Sequence, residues 1–190
     1  MRKSCCFIGH RKIQITDRLI AKLTAEIETL TENGVTRFLF GSRSNFNTLC
    51  HKLITELKTK YPDVKRIAYD TKSESSVLEE ERITKEGLYG SILKKDVHLL
   101  GYEEVYKPDI VYVSGKASYI ERNQIMIDNS DYCVFYYDEN YTPEQRKISA
   151  KNVGGLWTSA NSGTAIAYQY AKKKGKRVIN VFEKSGSERD

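Results

Sequence analysis

The chain has 190 residues, of which 39% are hydrophobic and 29% charged, a balance typical of one globular domain with a full-sized core. No apolar run approaches the roughly 18 to 20 residues that span a bilayer, and the apolar run near the N-terminus is too short for a signal peptide. We therefore expect a cytoplasmic protein with no membrane partner. The net charge of +6 is spread along the chain, and without a motif it is weak evidence for nucleic-acid binding.

Short β-rich runs alternate with longer amphipathic segments along the chain. The first half predicts strands at 5–8, 36–40 and 64–69, and helices at 17–31 and 46–60. The second half predicts a strand or edge segment at 110–113, a helix at 119–127, a strand at 132–137, a helix from 162 to 175 and a last strand at 177–182. Residues 71–107 are the least readable and are consistent with an insertion, residues 138–161 form a long polar loop, and residues 183–190 resemble a frayed tail.

This alternation predicts an α/β fold of the Rossmann-like, doubly wound kind, with a mostly parallel sheet and helices on both faces. No internal repeat or linker divides the chain, so residues 1–190 are expected to form a single domain. The four cysteines include no C-x-x-C pair, which predicts free thiols in the core and no metal site.

Small polar loops recur where the predicted strands end, and in an open parallel sheet ligands bind at that carboxyl edge. Glycine lets backbone N–H groups approach a phosphate, a helix start adds partial positive charge, and arginine adds bidentate contacts. Neither strand-to-helix loop matches the Walker A or G-x-G-x-x-G pattern, and a lone glycine there is more often a simple turn. Their recurrence at one edge predicts a phosphate-binding set: Gly9, His10, Arg11, Gly41, Ser42, Arg43, Ser162, Gly163 and Thr164.

The helix that begins near Tyr119 adds Arg122 and Asn123, which have side chains suited to phosphate, ribose or base. The alternative is an ordinary polar helix surface. Glu121 is a weak candidate for a catalytic acid, because no paired carboxylate spacing marks it. His10 is either a hydrogen-bond donor to the ligand, a general acid or a residue that closes the turn.

Four segments carry a resemblance to a known superfamily: Cys6-Phe7-Ile8-Gly9-His10-Arg11, Phe40-Gly41-Ser42, the run from Tyr119 to Asp131, and Ser162-Gly163-Thr164-Ala165. In this order they resemble the SLOG superfamily, and within it the YpsA-like branch. The resemblance implies a Rossmann-like fold that binds a nucleotide or a nucleotide-derived small molecule, with no other cofactor. Relatives include LOG phosphoribohydrolases, DNA-binding DprA proteins and sensor domains, and since they often form homo-oligomers, self-association is a further expectation.

The sequence departs from the LOG pattern P-G-G-x-G-T-x-x-E, whose glutamate serves glycosidic cleavage. Here Ser162-Gly163-Thr164 is followed by Ala165-Ile166-Ala167, and an apolar side chain cannot handle a proton. The departure favours ligand binding or sensing without catalysis. A nucleotide N-glycosidase or phosphoribohydrolase is the alternative, and a single-strand nucleic-acid binder is the third interpretation.

Overall fold

The computed structural model describes residues 2–41, 44–71, 101–111, 115–142 and 162–183. Within these ranges the chain forms six strands and four helices. The strands are β1 (Lys3–Gly9), β2 (Val35–Phe40), β3 (Lys65–Tyr69), β4 (Glu104–Tyr106), β5 (Tyr132–Tyr136) and β6 (Arg177–Asn180). The helices are α1 (Asp17–Glu32), α2 (Asn45–Leu57), α3 (Gly115–Asp128) and α4 (Gly163–Lys173).

All neighbouring strands are parallel, in the order β4-β3-β2-β1-β5-β6. The chain first builds outward from β1 to β4 on one side, and then returns through α3 to add β5 and β6 on the other side of β1. The direction of winding therefore reverses between β1 and β5, where Gly9 is in register with Tyr136. Crevices at such a reversal are where open α/β sheets bind ligands.

Successive residues of β1 point to opposite faces of the sheet, as the period of two in a strand requires. Cys5 and Phe7 belong to the core under α1 and α2, whereas Cys6 and Ile8 belong to the core under α3 and α4. All four side chains are buried, which explains why β1 is apolar at consecutive positions. The protein is thus a three-layer arrangement of helices, sheet and helices.

Three helices begin with a side-chain cap that their own sequence supplies. Thr16, Ser44 and Ser162 each accept a hydrogen bond from the N–H group three residues later. Since each helix runs back antiparallel to the strand before it, these helix starts lie at the carboxyl edge of the sheet, beside the crevice between β1 and β5.

The predicted fold class is confirmed, and most predicted elements differ from the observed ones by only a few residues at their ends. The main omission is β4, a three-residue edge strand inside the segment that the sequence left unread. The strand predicted at 110–113 is wrong at residues 110 and 111, which are irregular, and its other two residues lie outside the described ranges. No helix in the described part of the chain is long and apolar enough to cross a membrane.

Candidate functional site

The end of β1 packs closely against the start of α2. A β-carbon added at Gly9 would lie 2.5 to 2.8 Å from three atoms of Phe46, a side chain with no exposed surface. Glycine at this position therefore lets the helix start approach the strand end. The backbone continues the contact, because the Asn45 N–H donates to the Arg11 carbonyl at 3.0 Å, while the Arg11 side chain is exposed.

His10 follows Gly9 directly and is only 2% exposed. Its Nε2 lies 3.0 Å from the Asp138 backbone nitrogen and 3.1 Å from the Asp138 carbonyl oxygen, across the gap between β1 and β5. The carbonyl already accepts the N–H of Tyr141 at 3.2 Å, whereas the Asp138 N–H has no other acceptor in the described residues. We therefore assign Nε2 as the acceptor, which places the proton of the neutral ring on Nδ1.

The neutral form of His10 is the one its surroundings favour. Burial lowers the pKa of His10 below its usual 6.5, and this outweighs the opposing influence of the Asp138 carbonyl and carboxylate. The Nδ1 atom is buried and makes no hydrogen bond to any described residue. Buried polar atoms are rarely left unsatisfied in proteins, so Nδ1 calls for a partner outside the described residues.

A short turn places an aromatic ring against His10. Asp138 Oδ1 accepts the Asn140 N–H at 2.9 Å and the Asp138 carbonyl accepts the Tyr141 N–H, so Asp138 organises the turn at both of these positions. The Tyr141 ring stacks on His10 with a centroid separation of 3.8 Å and an interplanar angle of 15°. Asp138 was selected from the sequence as the start of a loop, but the stacking of Tyr141 on His10 was not predicted.

Arg122 of α3 lies at the end of β2, next to Gly41. A β-carbon at Gly41 would lie 2.7 Å from Nε of Arg122, so this glycine also permits a close approach. Arg122 is 1% exposed, and its guanidinium lies over the ring of Tyr119 at 5.2 Å. The structure thus brings the predicted residues Gly41 and Arg122 together, and it places Asn123 half-buried one position further along α3. The predicted residues Ser42 and Arg43 lie outside the described ranges.

The start of α4 is the fourth part of the site. Ser162 Oγ accepts the Ala165 N–H at 3.0 Å, and its carbonyl accepts the Ile166 N–H. Within the described residues the N–H groups of Gly163 and Thr164 have no acceptor, as is usual in the first turn of a helix. A β-carbon at Gly163 would meet no described atom within 4 Å, and Gly163 is half-buried, whereas Thr164 is buried at 7% exposed.

The position of α4 relative to β5 follows from two aromatic contacts. Tyr168 stacks on Tyr137 at 4.5 Å and meets Phe135 edge to face at 5.2 Å. Gly163 precedes Tyr168 by five residues, so the start of α4 extends about 7.5 Å beyond this contact along the helix axis. The helix start therefore projects past the end of β5, on the same edge as His10 and Tyr141.

Glu121 has a contact that the sequence did not predict. Its Oε1 accepts the Val111 N–H at 2.9 Å, so this carboxylate holds the segment before α3. Ala167, which stands where the LOG pattern has its glutamate, is 2% exposed and belongs to the core, while Ala165 and Ile166 are half-buried. The structure thus places Glu121 at a backbone contact, and the chain has no carboxylate at position 167.

Sequence reasoning did not select Asp70 and Thr71, which follow β3 at the same edge and are 4% and 2% exposed. The Asp70 N–H donates to the Tyr106 carbonyl at 3.0 Å, which joins this edge to β4. An aspartate directly after a predicted strand was a usable signal, because the ends of parallel strands meet at one edge.

The cysteines are core residues. All four are buried free thiols, and burial raises the pKa of Cys5 and Cys50. The hydrogen bond that the Cys133 thiol donates to Cys6, together with burial, raises the pKa of Cys133. Among the described residues no group of three histidine, cysteine, aspartate or glutamate side chains is placed to hold a metal ion.

The parallel strand order, the reversal between β1 and β5 and the glycine-lined carboxyl edge define a Rossmann-like α/β protein. The model of the YspA SLOG family matches residues 8–154, more than half of the chain, and the chain belongs to that family. The match begins at the end of β1 and includes Gly41 and Arg122. It ends before α4, so the case for Ser162, Gly163 and Thr164 depends on geometry.

No curated protein matches the sequence. Among solved structures the chain is similar to the muconate lactonizing enzyme from Mucobacterium Smegmatis, with 13% sequence identity and a TM-score of 0.29. That alignment covers 93% of this chain and 45% of the enzyme, so the chain spans less than half the length of the enzyme.

Proposed function

We propose that this protein binds or senses a nucleotide or a nucleotide-derived small molecule at the carboxyl edge of its sheet, without cleaving it. Membership of the SLOG family suggests a nucleotide-related function. The observation that carries the proposal is His10, a buried neutral ring at the reversal point whose Nδ1 has no hydrogen-bond partner in the described residues. A ligand acceptor atom is the partner that this position implies.

Two further groups at the edge favour an anionic ligand. The buried guanidinium of Arg122 is a fixed positive charge packed against Gly41 at the end of β2. The start of α4 adds the N–H groups of Gly163 and Thr164, and the helix dipole favours negative charge there. A phosphate near α4 and Arg122, with the remainder of the ligand toward His10, accounts for all three features.

The absence of catalysis is part of the proposal. Where LOG enzymes have a glutamate after Thr164, this chain has Ala167, which is packed in the core. The Glu121 carboxylate accepts a hydrogen bond from the Val111 N–H. Neither group is available to protonate a leaving base. The N-glycosidase alternative remains open to a direct test, because it predicts free base as a product.

Nucleic-acid binding has less support from the basic residues near the end of α4. Lys176 Nζ donates to the carbonyls of Asp128 and Ser130 at 3.0 and 2.8 Å, and Lys174 pairs with the Asp128 carboxylate at 3.2 Å. These contacts join α4 to α3, and they lie at the opposite edge of the sheet from His10. The charges of Lys174 and Lys176 therefore stabilise the packing of α4 against the end of α3.

The test is calorimetric titration of the purified full chain with AMP, ADP-ribose and inorganic phosphate, followed by chromatography of the recovered ligand. We expect AMP or ADP-ribose to bind and to be recovered intact. If neither AMP nor ADP-ribose binds at millimolar concentration, the proposal is wrong. Release of adenine or of a free sugar phosphate would establish the hydrolase instead.

A matched pair of variants tests whether the ligand phosphate lies at α4. Both Ser162→Asn and Ser162→Asp keep a side-chain oxygen that caps the helix, but only the aspartate adds negative charge. We expect Ser162→Asn to retain affinity and Ser162→Asp to weaken AMP binding at least about tenfold, which is about 1.4 kcal/mol. Equal affinities would place the phosphate elsewhere.

A further inference from the structure

We propose that the Tyr141 ring, backed by His10, is the platform on which the planar base of the ligand stacks, so that this subsite selects ligands with an aromatic group. The inference deepens the nucleotide-binding function proposed above and rests on it. It assigns a specificity-determining role to Tyr141, a residue outside the glycine loops and the helix starts.

The geometry of the pair differs from ordinary aromatic packing in the core. Aromatic side chains usually pair with centroids about 4.5 to 7 Å apart, in offset or edge-to-face arrangements. The Tyr141 and His10 rings lie 3.8 Å apart and within 15° of parallel. This is a flat, face-to-face stack, and a third flat ring extends such a stack without rearranging it.

The His10 ring and the Tyr141 backbone are both hydrogen-bonded to the same residue, Asp138. His10 Nε2 accepts the Asp138 N–H, and the Tyr141 N–H donates to the Asp138 carbonyl. The platform is therefore organised before any ligand arrives, which reduces the conformational entropy lost on binding.

Exposure indicates which face of the stack is available. His10 is 2% exposed and lies at the back, whereas Tyr141 is half-buried and forms the accessible end. One face of Tyr141 is covered by His10, so the ligand base would stack on the other face. Stacking of a base on an aromatic side chain is tolerant of base identity, since every base has a π-face.

The neighbouring contacts place the platform beside the proposed phosphate position. Tyr137 precedes the Asp138 turn and stacks on Tyr168 of α4. Asp138 and Tyr141 therefore continue directly from the residue that contacts α4, whose start lies on the same edge. A ligand with a base at Tyr141 and a phosphate at Gly163 follows the edge of the sheet from β5 to α4.

The experiment compares AMP with ribose 5-phosphate, which has the same sugar and phosphate but no base. Each is titrated into the parent chain, Tyr141→Ala and Tyr141→Phe. We expect the Kd for AMP to rise about 5- to 150-fold in Tyr141→Ala and to stay within about twofold in Tyr141→Phe. The Kd for ribose 5-phosphate should be the same in all three proteins.

Tyr61→Ala is the matched control, because it removes a half-buried tyrosine after α2, at the opposite edge of the sheet. It should bind AMP as the parent does. Circular dichroism checks that every variant is folded, and the unchanged affinity for ribose 5-phosphate shows that the phosphate position is intact.

Four results would overturn the stacking proposal. If the parent binds AMP and Tyr141→Ala binds it equally well, the base does not stack there, and the nucleotide-binding function stands. If Tyr141→Ala binds AMP more tightly, Tyr141 blocks the site rather than forming it. If it loses AMP and ribose 5-phosphate equally, Tyr141 only supports the loop. If the parent binds neither probe, the stacking proposal fails, and the proposed function fails with it when ADP-ribose is not bound either.

Discussion

Replacement of Gly9 by alanine tests whether the close approach of β1 and α2 is required. The added β-carbon would lie 2.5, 2.6 and 2.8 Å from Cδ1, Cγ and Cβ of Phe46. Ordinary van der Waals contact begins near 3.4 Å. Phe46 cannot simply rotate away, because it is fully buried and its ring packs against the rings of Phe7 and Tyr136, with centroid separations of 6.3 and 5.9 Å. The start of α2 must therefore shift.

The expected cost comes from two opposing effects. Overpacking a well-packed core costs about 1–3 kcal/mol. Alanine also restricts the unfolded chain more than glycine does, which stabilises the protein by about 0.4–1 kcal/mol. The two ranges combine to a net loss between about 0 and 2.6 kcal/mol, and contacts as short as 2.5 Å exclude the low end, so we expect about 1–2 kcal/mol for Gly9→Ala. In a chain of this length that loss lowers Tm by about 2–8 °C.

The assay is urea and thermal unfolding followed by circular dichroism, with Gly163→Ala as the control. Gly163 has open space where its β-carbon would lie, so that variant should be at least as stable as the parent, by up to about 1 kcal/mol. Phe46→Leu supplies the second background, since its shorter side chain can rotate, and Gly9→Ala should cost less there. The steric explanation is wrong if Gly9→Ala has the same free energy of unfolding as the parent. It is also wrong if Gly9→Ala lowers that free energy as much in the Phe46→Leu background as in the parent.

Three other predictions concern stability. As the pH falls below about 6.5, His10 binds a proton in the unfolded chain but not in the folded protein, because burial lowers its pKa. The free energy of unfolding should therefore fall as the pH falls, and it should fall less steeply in His10→Gln. Burial alone would raise the pKa of Glu103, but hydrogen bonds, chiefly from Arg66, hold it at about 2. Glu103→Gln should therefore cost about 1–3 kcal/mol at pH 7, and that cost should disappear as the pH falls from 4.5 toward 2. Lys176→Met should cost about 1–3 kcal/mol by removing its bonds to two carbonyls, while Lys173→Met, at an exposed position, should cost nothing.

Each of these has a contrary outcome in the same unfolding measurements. Parallel pH profiles for the parent and His10→Gln would show that the ring does not titrate in that window. A cost for Glu103→Gln that persists at pH 2 would show that it does not come from the charge. Equal effects at Lys176 and Lys173 would mean that the carbonyl contacts of Lys176 do not stabilise the junction between α3 and α4.

The sequence by itself determined the local features of this protein. The alternation of apolar runs and amphipathic segments predicts an α/β fold, because strand and helix periods are written in neighbouring residues. Ser162 caps α4 through a bond to a residue only three positions away, so that helix start was readable. Gly9 and His10 were selected because glycine and basic residues at strand ends suit a phosphate, and Arg122 was selected because it lies in the first turns of a predicted helix.

The tertiary structure decided what those residues contact. His10 contacts Asp138 and Tyr141 only because the strand order makes β1 the neighbour of β5. His10 and Asp138 are 128 residues apart in the sequence. No local pattern encodes that pairing, since its free energy comes from packing the whole sheet between its helices. For the same reason β4, with three residues and pairing to β3 alone in the described sheet, left no readable signal. The residue types at the edge were legible in the sequence, while their assembly into one site depends on strand order.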